Sequence, residues 1–367
     1  MLRYVKDYKG GCNIFKIAKT IKVHNELMQN GFNHLFNNSG KIILYTYNGY
    51  ININIDKRIF DEKDEKDVLI IDDKGIISEL YNANSTNNAI CITLQCNSNC
   101  VMCPCSEKSR KHSEISSINF LRELLYYLPK DSDFLTITGG EPTLLKNDLF
   151  VLLNALKNEF PKTYFQLLTN GRAFCNKNYA EKFNIYRPNN IQVGIPIYGY
   201  DSNTHDMITQ TPGSFEQTIA GIHNLLNNNN NIEIRIVLTK QTIYNLYNIS
   251  EYIINSLKLV NSVKLMGLEM LGNAVVNIDK VWMPYDELFN LAEDSINLLI
   301  KEGIDVAIYN FPLCTVKKDY WGICEKSISD YKIEYNGECN YCKVKNMCGG
   351  VFGSTRRITN FKCKPIY

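Results

Sequence analysis

Cys91-Ile92-Thr93-Leu94-Gln95-Cys96-Asn97-Ser98-Asn99-Cys100-Val101-Met102-Cys103-Pro104 opens on an apolar, strand-like segment and carries three cysteines in C-x3-C-x2-C spacing. Thiolates are the usual protein ligands of iron–sulfur clusters. Cys96, Cys100 and Cys103 can hold three irons of a four-iron cluster and leave the fourth without a protein ligand. An open metal position is where a metal site does chemistry; a closed one only braces. Zinc is the competing reading. It usually wants two C-x2-C pairs or histidine partners, and the nearby Cys105 and His112 complete no common zinc spacing. The residues beyond the triplet decide between the two metals.

From about residue 90 to 310, strand-like runs alternate with amphipathic segments of helix length. The expected strands are Ile90–Leu94, Phe134–Thr138, Tyr164–Thr169, Ile191–Ile197, Ile232–Leu238 and Val263–Leu268. The expected helices are Ser117–Leu128, Asp148–Phe160, Lys177–Phe183, Ser214–Leu226, Ile243–Leu257 and Tyr285–Lys301. Ser214 is expected to cap its helix, with Glu216 in the first turn. Six such units predict an α/β fold with a parallel sheet and crossover helices. An open sheet and a partial barrel fit this periodicity equally well. In both, ligands gather at the carboxyl ends of the strands.

Residues 1–85 read as a small α+β appendage, with a helix near Ile14–Gln29 and β-like runs at Ile42–Tyr47, Tyr50–Ile55 and Val68–Ile71. It is either a binding unit for a peptide or partner, or an extension of the barrel edge. The charged run from Asp61 to Asp67 reads as a solvated loop. Residues 86–310 make the main βα domain. Residues 311–367 carry six cysteines with little apolar periodicity, so a metal is expected to staple this tail.

The 367 residues suffice for one large core with smaller additions. A net charge of +2 predicts no steering toward nucleic acid or membrane. No apolar stretch reaches transmembrane length. The start, Met1-Leu2-Arg3-Tyr4-Val5-Lys6-Asp7-Tyr8, lacks the apolar core of a signal peptide, so a cytoplasmic location is expected. Thirteen cysteines in such a chain argue for metal or redox work over disulfides. Cys12, Cys91, Cys105 and Cys175 read as buried or indifferent small residues.

The second strand ends in Thr138-Gly139-Gly140-Glu141-Pro142. Two glycines let backbone approach a ligand closely, and the carboxylate can accept from an ammonium. The triplet, with Gly-Gly-Glu one βα unit later, resembles the radical S-adenosylmethionine (SAM) superfamily. That resemblance favours a partial (β/α)6 TIM-like barrel over the open sheet. It implies SAM chelating the open iron through its amino and carboxylate groups, and one-electron cleavage to a 5′-deoxyadenosyl radical. It places Gly139, Gly140 and Glu141 at the SAM amino group and Met102 against the adenine, where a core-filling role is compatible. Asn170, in the strand-end Thr169-Asn170-Gly171, falls near the cofactor, although this is also a common turn. The fourth strand has no Ser or Gln at its mouth for the ribose, which leaves Tyr198 as the candidate. Arg235 lies amid an apolar run, and buried arginine is rare unless paired. Its fork suits the SAM carboxylate, with a salt bridge to Glu233 as the alternative. The resemblance also brings the backbone of Lys264–Ala274 around the adenine, with Glu269 open to face substrate instead.

In the tail, Cys339-x2-Cys342-x5-Cys348-Gly349-Gly350 resembles the auxiliary-cluster segment of SPASM and twitch domains, with Cys314 upstream as first ligand. These four imply one auxiliary [4Fe–4S] cluster, with Cys363 or Cys324 as alternates for Cys314. Four cysteines also suit zinc. A two-cluster SPASM domain has a further cysteine where this chain has Phe352. Asn310-Phe311-Pro312-Leu313-Cys314, Trp321, Ser327-Ile328-Ser329-Asp330-Tyr331-Lys332 and the Cys339–Gly350 block together resemble the His-Xaa-Ser system radical SAM maturases of the C type. That implies a ribosomal precursor peptide as substrate, a second radical SAM protein as partner and an external one-electron donor. No catalytic acid or base is assigned. The alternatives are a radical SAM enzyme on a small molecule, and a non-catalytic iron–sulfur subunit supporting another maturase. The intact triplet, Gly139–Glu141 and Arg235 speak against the latter.

Overall fold

The computed structural model describes residues 3–5, 8–55, 57–260, 262–327 and 332–367. Residues 1, 2, 6 and 7 of the N-terminal segment, and 328–331 of the tail motif, lie outside these.

Successive βα units build the main sheet. β8 (Ala89–Cys91), β9 (Phe134–Thr138), β10 (Tyr164–Leu168), β11 (Ile191–Pro196), β12 (Asn231–Val237), β13 (Ser262–Met266), β14 (Asp305–Tyr309) and β15 (Cys324–Glu325) pair in parallel. Their spatial order follows chain order, each strand beside its predecessor, the layout of a partial TIM-like barrel. Side chains alternate along each strand. On β12, Ile232, Ile234 and Ile236 enter the core beneath the helices, while Glu233 and Arg235 turn to the other face.

The helices are α3 (Glu107–His112), α4 (Ile118–Tyr127), α5 (Asn147–Glu159), α6 (Lys177–Tyr186), α7 (Ser202–Thr209), α8 (Ser214–Asn227), α9 (Leu246–Ser256), α10 (Asn273–Val276), α11 (Ile278–Val281) and α12 (Tyr285–Lys301). Two details differ from expectation. Ser214 is not the cap of α8; Gly213 is, at φ +76, and Asp206 of α7 accepts from the N–H groups of Gly213 and Phe215 at 2.6 and 2.8 Å. A carboxylate from the neighbouring helix thus does the capping. The sheet also continues past six strands, because Val306-Ala307-Ile308 of β14 is an apolar run too short to separate by pattern from the tail.

The N-terminal sheet joins seven strands in the order β1-β7-β6-β2-β3-β4-β5. They are β1 (Arg3–Tyr4), β2 (Asn13–Ala18), β3 (His34–Asn38), β4 (Lys41–Thr46), β5 (Gly49–Asn52), β6 (Val68–Ile71) and β7 (Ile76–Tyr81), with α1 (Ile21–Gln29) and α2 (Lys57–Asp61) between. The expected helix at Ile14–Gln29 is therefore split. Phe15 and Ile17 bury in a core of their own with Leu35, Leu44 and Leu69, and only after the Thr20 cap does the chain turn helical. The charged run is not wholly solvated. Lys63 and Asp67 are buried, Lys63 pairs with Glu79, and Asp67 accepts from the Ala83 N–H at 2.8 Å. Paired burial is how such charges tolerate an interior. Cys12, Cys91 and Cys175 are exposed, not buried, and Cys105 is half-buried.

The tail adds β16 (Ile333–Glu334) and β17 (Val351–Phe352), an antiparallel pair, then α13 (Gly353–Thr359). Among the described residues, no helix is long and apolar enough to cross a membrane.

Candidate functional site

The cysteine loop lies across the carboxyl ends of the strands, and backbone holds it there. The Ile92 N–H donates to Thr138 O at 2.9 Å, Gly140 N–H to Thr93 O at 2.6 Å and Glu141 N–H to Gln95 O at 2.8 Å. A Cβ on Gly139 would stand 2.3 Å from Thr93 O, and one on Gly140 would stand 2.2 Å from Gln95 O. The close approach made by these glycines is thus to the chain's own cysteine loop. Glu141 is fully buried. Its Oε1 accepts from Thr143 N, Thr143 Oγ1 and Thr169 Oγ1 at 3.0, 2.7 and 2.6 Å, and its Oε2 from Asn170 N at 2.7 Å. The carboxylate ties the mouths of β9 and β10 together.

Other strand ends grip the same loop. Asn170 Nδ2 donates to Asn97 Oδ1 at 2.6 Å, and Arg172 Nη1 donates to Asn97 O at 2.6 Å. From the end of α7, Thr209 O and Ile208 O accept from Asn99 N and Val101 N at 3.0 and 2.9 Å. Asn273 Nδ2 donates to Cys100 O and Asn99 Oδ1 at 3.0 and 2.9 Å, and Asn277 Nδ2 to Val101 O at 3.1 Å. Buried Arg110 donates to Cys105 O and Asn99 Oδ1. Sequence reasoning missed Arg110, Arg172, Asn273 and Asn277. Only Arg110 carried a signal, as a cation close after the triplet; the others arrive from distant βα units. Asn273→Ala removes one of two donors to the Cys100 carbonyl, which keeps the Cys103 N–H at 3.1 Å, so a loss of about 0.5–1.5 kcal/mol is expected. A lower urea midpoint and faster iron release to a chelator would register it.

The three thiols sit within range of one another's charge. Burial, then the Glu141 charge, pushes Cys96 up to about 11. Burial and the other two sulfurs push Cys100 up to about 12. A hydrogen bond from Cys105 favours Cys103 as thiolate and Cys105 as thiol. Cys96 and Cys100, as thiols that resist ionisation, want a cation, which cluster irons supply. The donor set fits such a cluster. A cavity of about 500 Å³ opens beside Cys96, lined by Gln95, Asn97, Arg110, Lys111 and Gln210 among others.

Met102 packs with Ile208, Leu268, Met270 and Val281 beneath the loop, with Tyr198 alongside. Tyr198 lies within charge range of all three cysteines and of Arg235, and burial raises its phenol well above the ordinary value. Its N–H donates to His205 Nδ1 at 3.2 Å, and burial pushes His205 down to about 4. Arg235 Nη1 donates to Glu233 Oε1 at 2.6 Å and contacts Gln166 Oε1 at 3.4 Å. The expected alternative, an ion pair with Glu233, is therefore present. Glu269 pairs with Lys332 at 3.1 Å.

In the tail, Cys314, Cys339, Cys342, Cys348 and Cys363 line one cavity. Cys324 does not; its Sγ donates to Tyr320 O at 3.4 Å. Backbone N–H groups of Lys364, Ile366, Leu313 and Gly350 point at Cys314, Cys342 and, for the last two, Cys348, each at 3.4 Å. Among the described residues, no three His, Cys, Asp or Glu side chains converge as they would on a single metal ion.

The profile of the radical SAM superfamily matches residues 90–249. No curated protein matches the chain in sequence. Among solved structures, it is similar to Streptococcus suis SuiB bound to precursor peptide SuiA, with 17% identity over 68% of this chain and 53% of that one, TM-score 0.51. A second structure of Streptococcus suis SuiB gives 16% identity over 72% of this chain and 56% of that one, TM-score 0.51. Native anSMEcpe with bound AdoMet gives 18% identity over 60% of this chain and 63% of that one, TM-score 0.49. The chain spans about half the length of the SuiB structures it matches. At such identities the SuiB likeness speaks to the fold alone. The matched segment covers the cysteine loop and the mouths of β9 to β12, so residues 90–249 carry a radical SAM domain.

Proposed function

We propose that this chain is a radical SAM enzyme that matures a ribosomally made peptide. The observation that carries the enzyme reading is the gathering of Cys96, Cys100 and Cys103 over Tyr198 and Arg235 at the strand mouths. When bound, a four-iron cluster and SAM supply a carbon radical that abstracts hydrogen from substrate. The chain's own residues bind and orient. The three thiolates hold three irons, while Asn97, Asn99 and Asn273 keep their loop in place. Met102 supplies an apolar face for adenine, Gly139, Gly140, Glu141 and Asn170 frame the amino-group end, and Tyr198 meets the ribose. Among the described residues only Nη1 of Arg235 takes a protein acceptor, so the rest of the fork is available to the SAM carboxylate.

The peptide reading draws on the tail. Residues 311–367 would carry one auxiliary cluster, through Cys339, Cys342, Cys348 and a fourth thiol, next to the barrel of 86–310. Residues 1–85 would receive the peptide or a partner. The motif likeness to His-Xaa-Ser system maturases adds a second radical SAM protein, an external electron donor and a cytoplasmic setting to the proposal.

Anaerobic reconstitution tests it. About eight irons per chain, falling to about four in a Cys96/Cys100/Cys103→Ala variant, is the expected count for two four-iron clusters. Reduced protein with SAM should release 5′-deoxyadenosine, and the variant none. No 5′-deoxyadenosine from the unmodified chain, alone or with its partner protein, sinks the enzyme reading.

A further inference from the structure

β13 ends at Met266, and Gly267 N–H still bonds to Tyr309 O at 2.8 Å. Beyond it the chain leaves the ladder, where its buried backbone groups still need partners. One side chain serves two of them. Thr355 of α13, in the tail and fully buried, donates from Oγ1 to Leu268 O at 2.8 Å and accepts there from Met270 N–H at 3.0 Å. Lys332, also from the tail, pairs with the intervening Glu269 at 3.1 Å.

The far end of the same segment lies on the cysteine loop. Gly272, at φ +54, comes so close that a Cβ would stand 2.4 Å from Pro104 O. Asn273 N–H donates to Cys103 O at 2.9 Å, and its Nδ2 donates to Cys100 O at 3.0 Å. Leu268 and Met270 pack in one apolar cluster with Met102. Residues 268–273 thus form a strap, tied to the tail at one end and to the loop of the cysteine triplet at the other.

Resting on the SAM-site reading above, we propose that Thr355 is a positioning residue of the SAM site. From the tail it fixes the strap that packs against Met102 and holds the Cys100 carbonyl. A hydroxyl donates and accepts at once, whereas valine of similar shape does neither. The Met270 N–H then loses its acceptor, and Leu268 O keeps only the Tyr285 hydroxyl at 3.5 Å. A strap so loosened populates open positions, and SAM must restore the closed one on binding. Affinity falls while the step after binding is unchanged, which is the pattern of a lost uniform interaction.

Steady-state 5′-deoxyadenosine release and hydrogen exchange on reconstituted, anaerobic protein test this. Thr355→Val should raise KM for SAM about three- to tenfold, the range for a lost hydrogen bond, with kcat within about twofold. Without SAM, the amides of residues 99–103 and 271–274 should exchange faster by a similar factor, while those of β9 keep the parent's rates. Thr355→Ser keeps the hydroxyl and should restore both readings. Where valine prevents folding, Thr355→Ala should move both in the same direction. A fall in kcat at unchanged KM overturns the proposal. So do parent exchange rates at residues 99–103, or a serine variant that behaves like valine. If the unsubstituted protein neither binds SAM nor releases 5′-deoxyadenosine, the enzyme reading fails instead. The exchange rates then still decide whether Thr355 holds the cysteine loop.

Discussion

Gly140→Ala should strip the cysteine loop of its iron and cut 5′-deoxyadenosine release by about a hundredfold or more, since a misplacement near 1 Å costs that much in a preorganised site. The reason is steric and local. An added methyl would stand 2.2 Å from Gln95 O, 2.4 Å from Leu94 O and 2.6 Å from Gln95 C, all backbone atoms that no rotamer change can clear. Relief requires the loop to lift from the mouth of β9, which breaks the 2.6 Å bond from Gly140 N–H to Thr93 O. Cys96 is bonded directly to Gln95 and lifts with it. Gly322→Ala is the matched control, because a Cβ there meets nothing within 4 Å. It should leave iron content and SAM cleavage unchanged. Normal iron in Gly140→Ala would show that the loop tolerates the shift.

Glu141→Ala should cost on the order of 3–5 kcal/mol of stability, the range for breaking a buried hydrogen-bonded network. Four donors from Thr143, Thr169 and Asn170 converge on a carboxylate with no solvent exposure. Removing it strands the two backbone N–H groups and leaves a void, while the hydroxyls can turn only partly elsewhere. Glu141→Gln should lose less but still measurably, because its amide presents a donor where donors already point. Urea denaturation of the iron-free protein separates this from any loss of cofactor. A change under about 1 kcal/mol would mean the strand mouths are held by other means.

Much of the fold was legible because two periodicities carry it. Apolar runs at period two and helical stretches between them mark β9 to β13, and five of the six expected strands match within two residues. The failures occur where pattern is short or double. Ile14–Ala18 fits a helix stripe as well as a strand, and only burial against Leu35 and Leu69 settles it as β2. β14 is five residues long and merges by composition with the tail. Lys63 and Asp67 look solvated because charge runs usually are, yet Glu79 and the Ala83 N–H give them partners that the local sequence does not contain.

The spacing of Cys96, Cys100 and Cys103, and the order of the βα units, are properties of neighbouring residues and can be read along the chain. Three-ligand geometry depends on a few bonds of one loop. What holds that loop cannot be read this way. Gly140 lies against Gln95, Arg172 reaches Asn97 and Asn273 reaches Cys100 across 45, 75 and 173 positions respectively. Such pairings exist only once parallel strands bring their carboxyl ends to one mouth. The same holds for the tail, where chain folding brings Cys314 and Cys363 to one cavity and leaves Cys324 out of it. Ligand type is a local chemical fact, whereas the choice among thiols is a matter of distance.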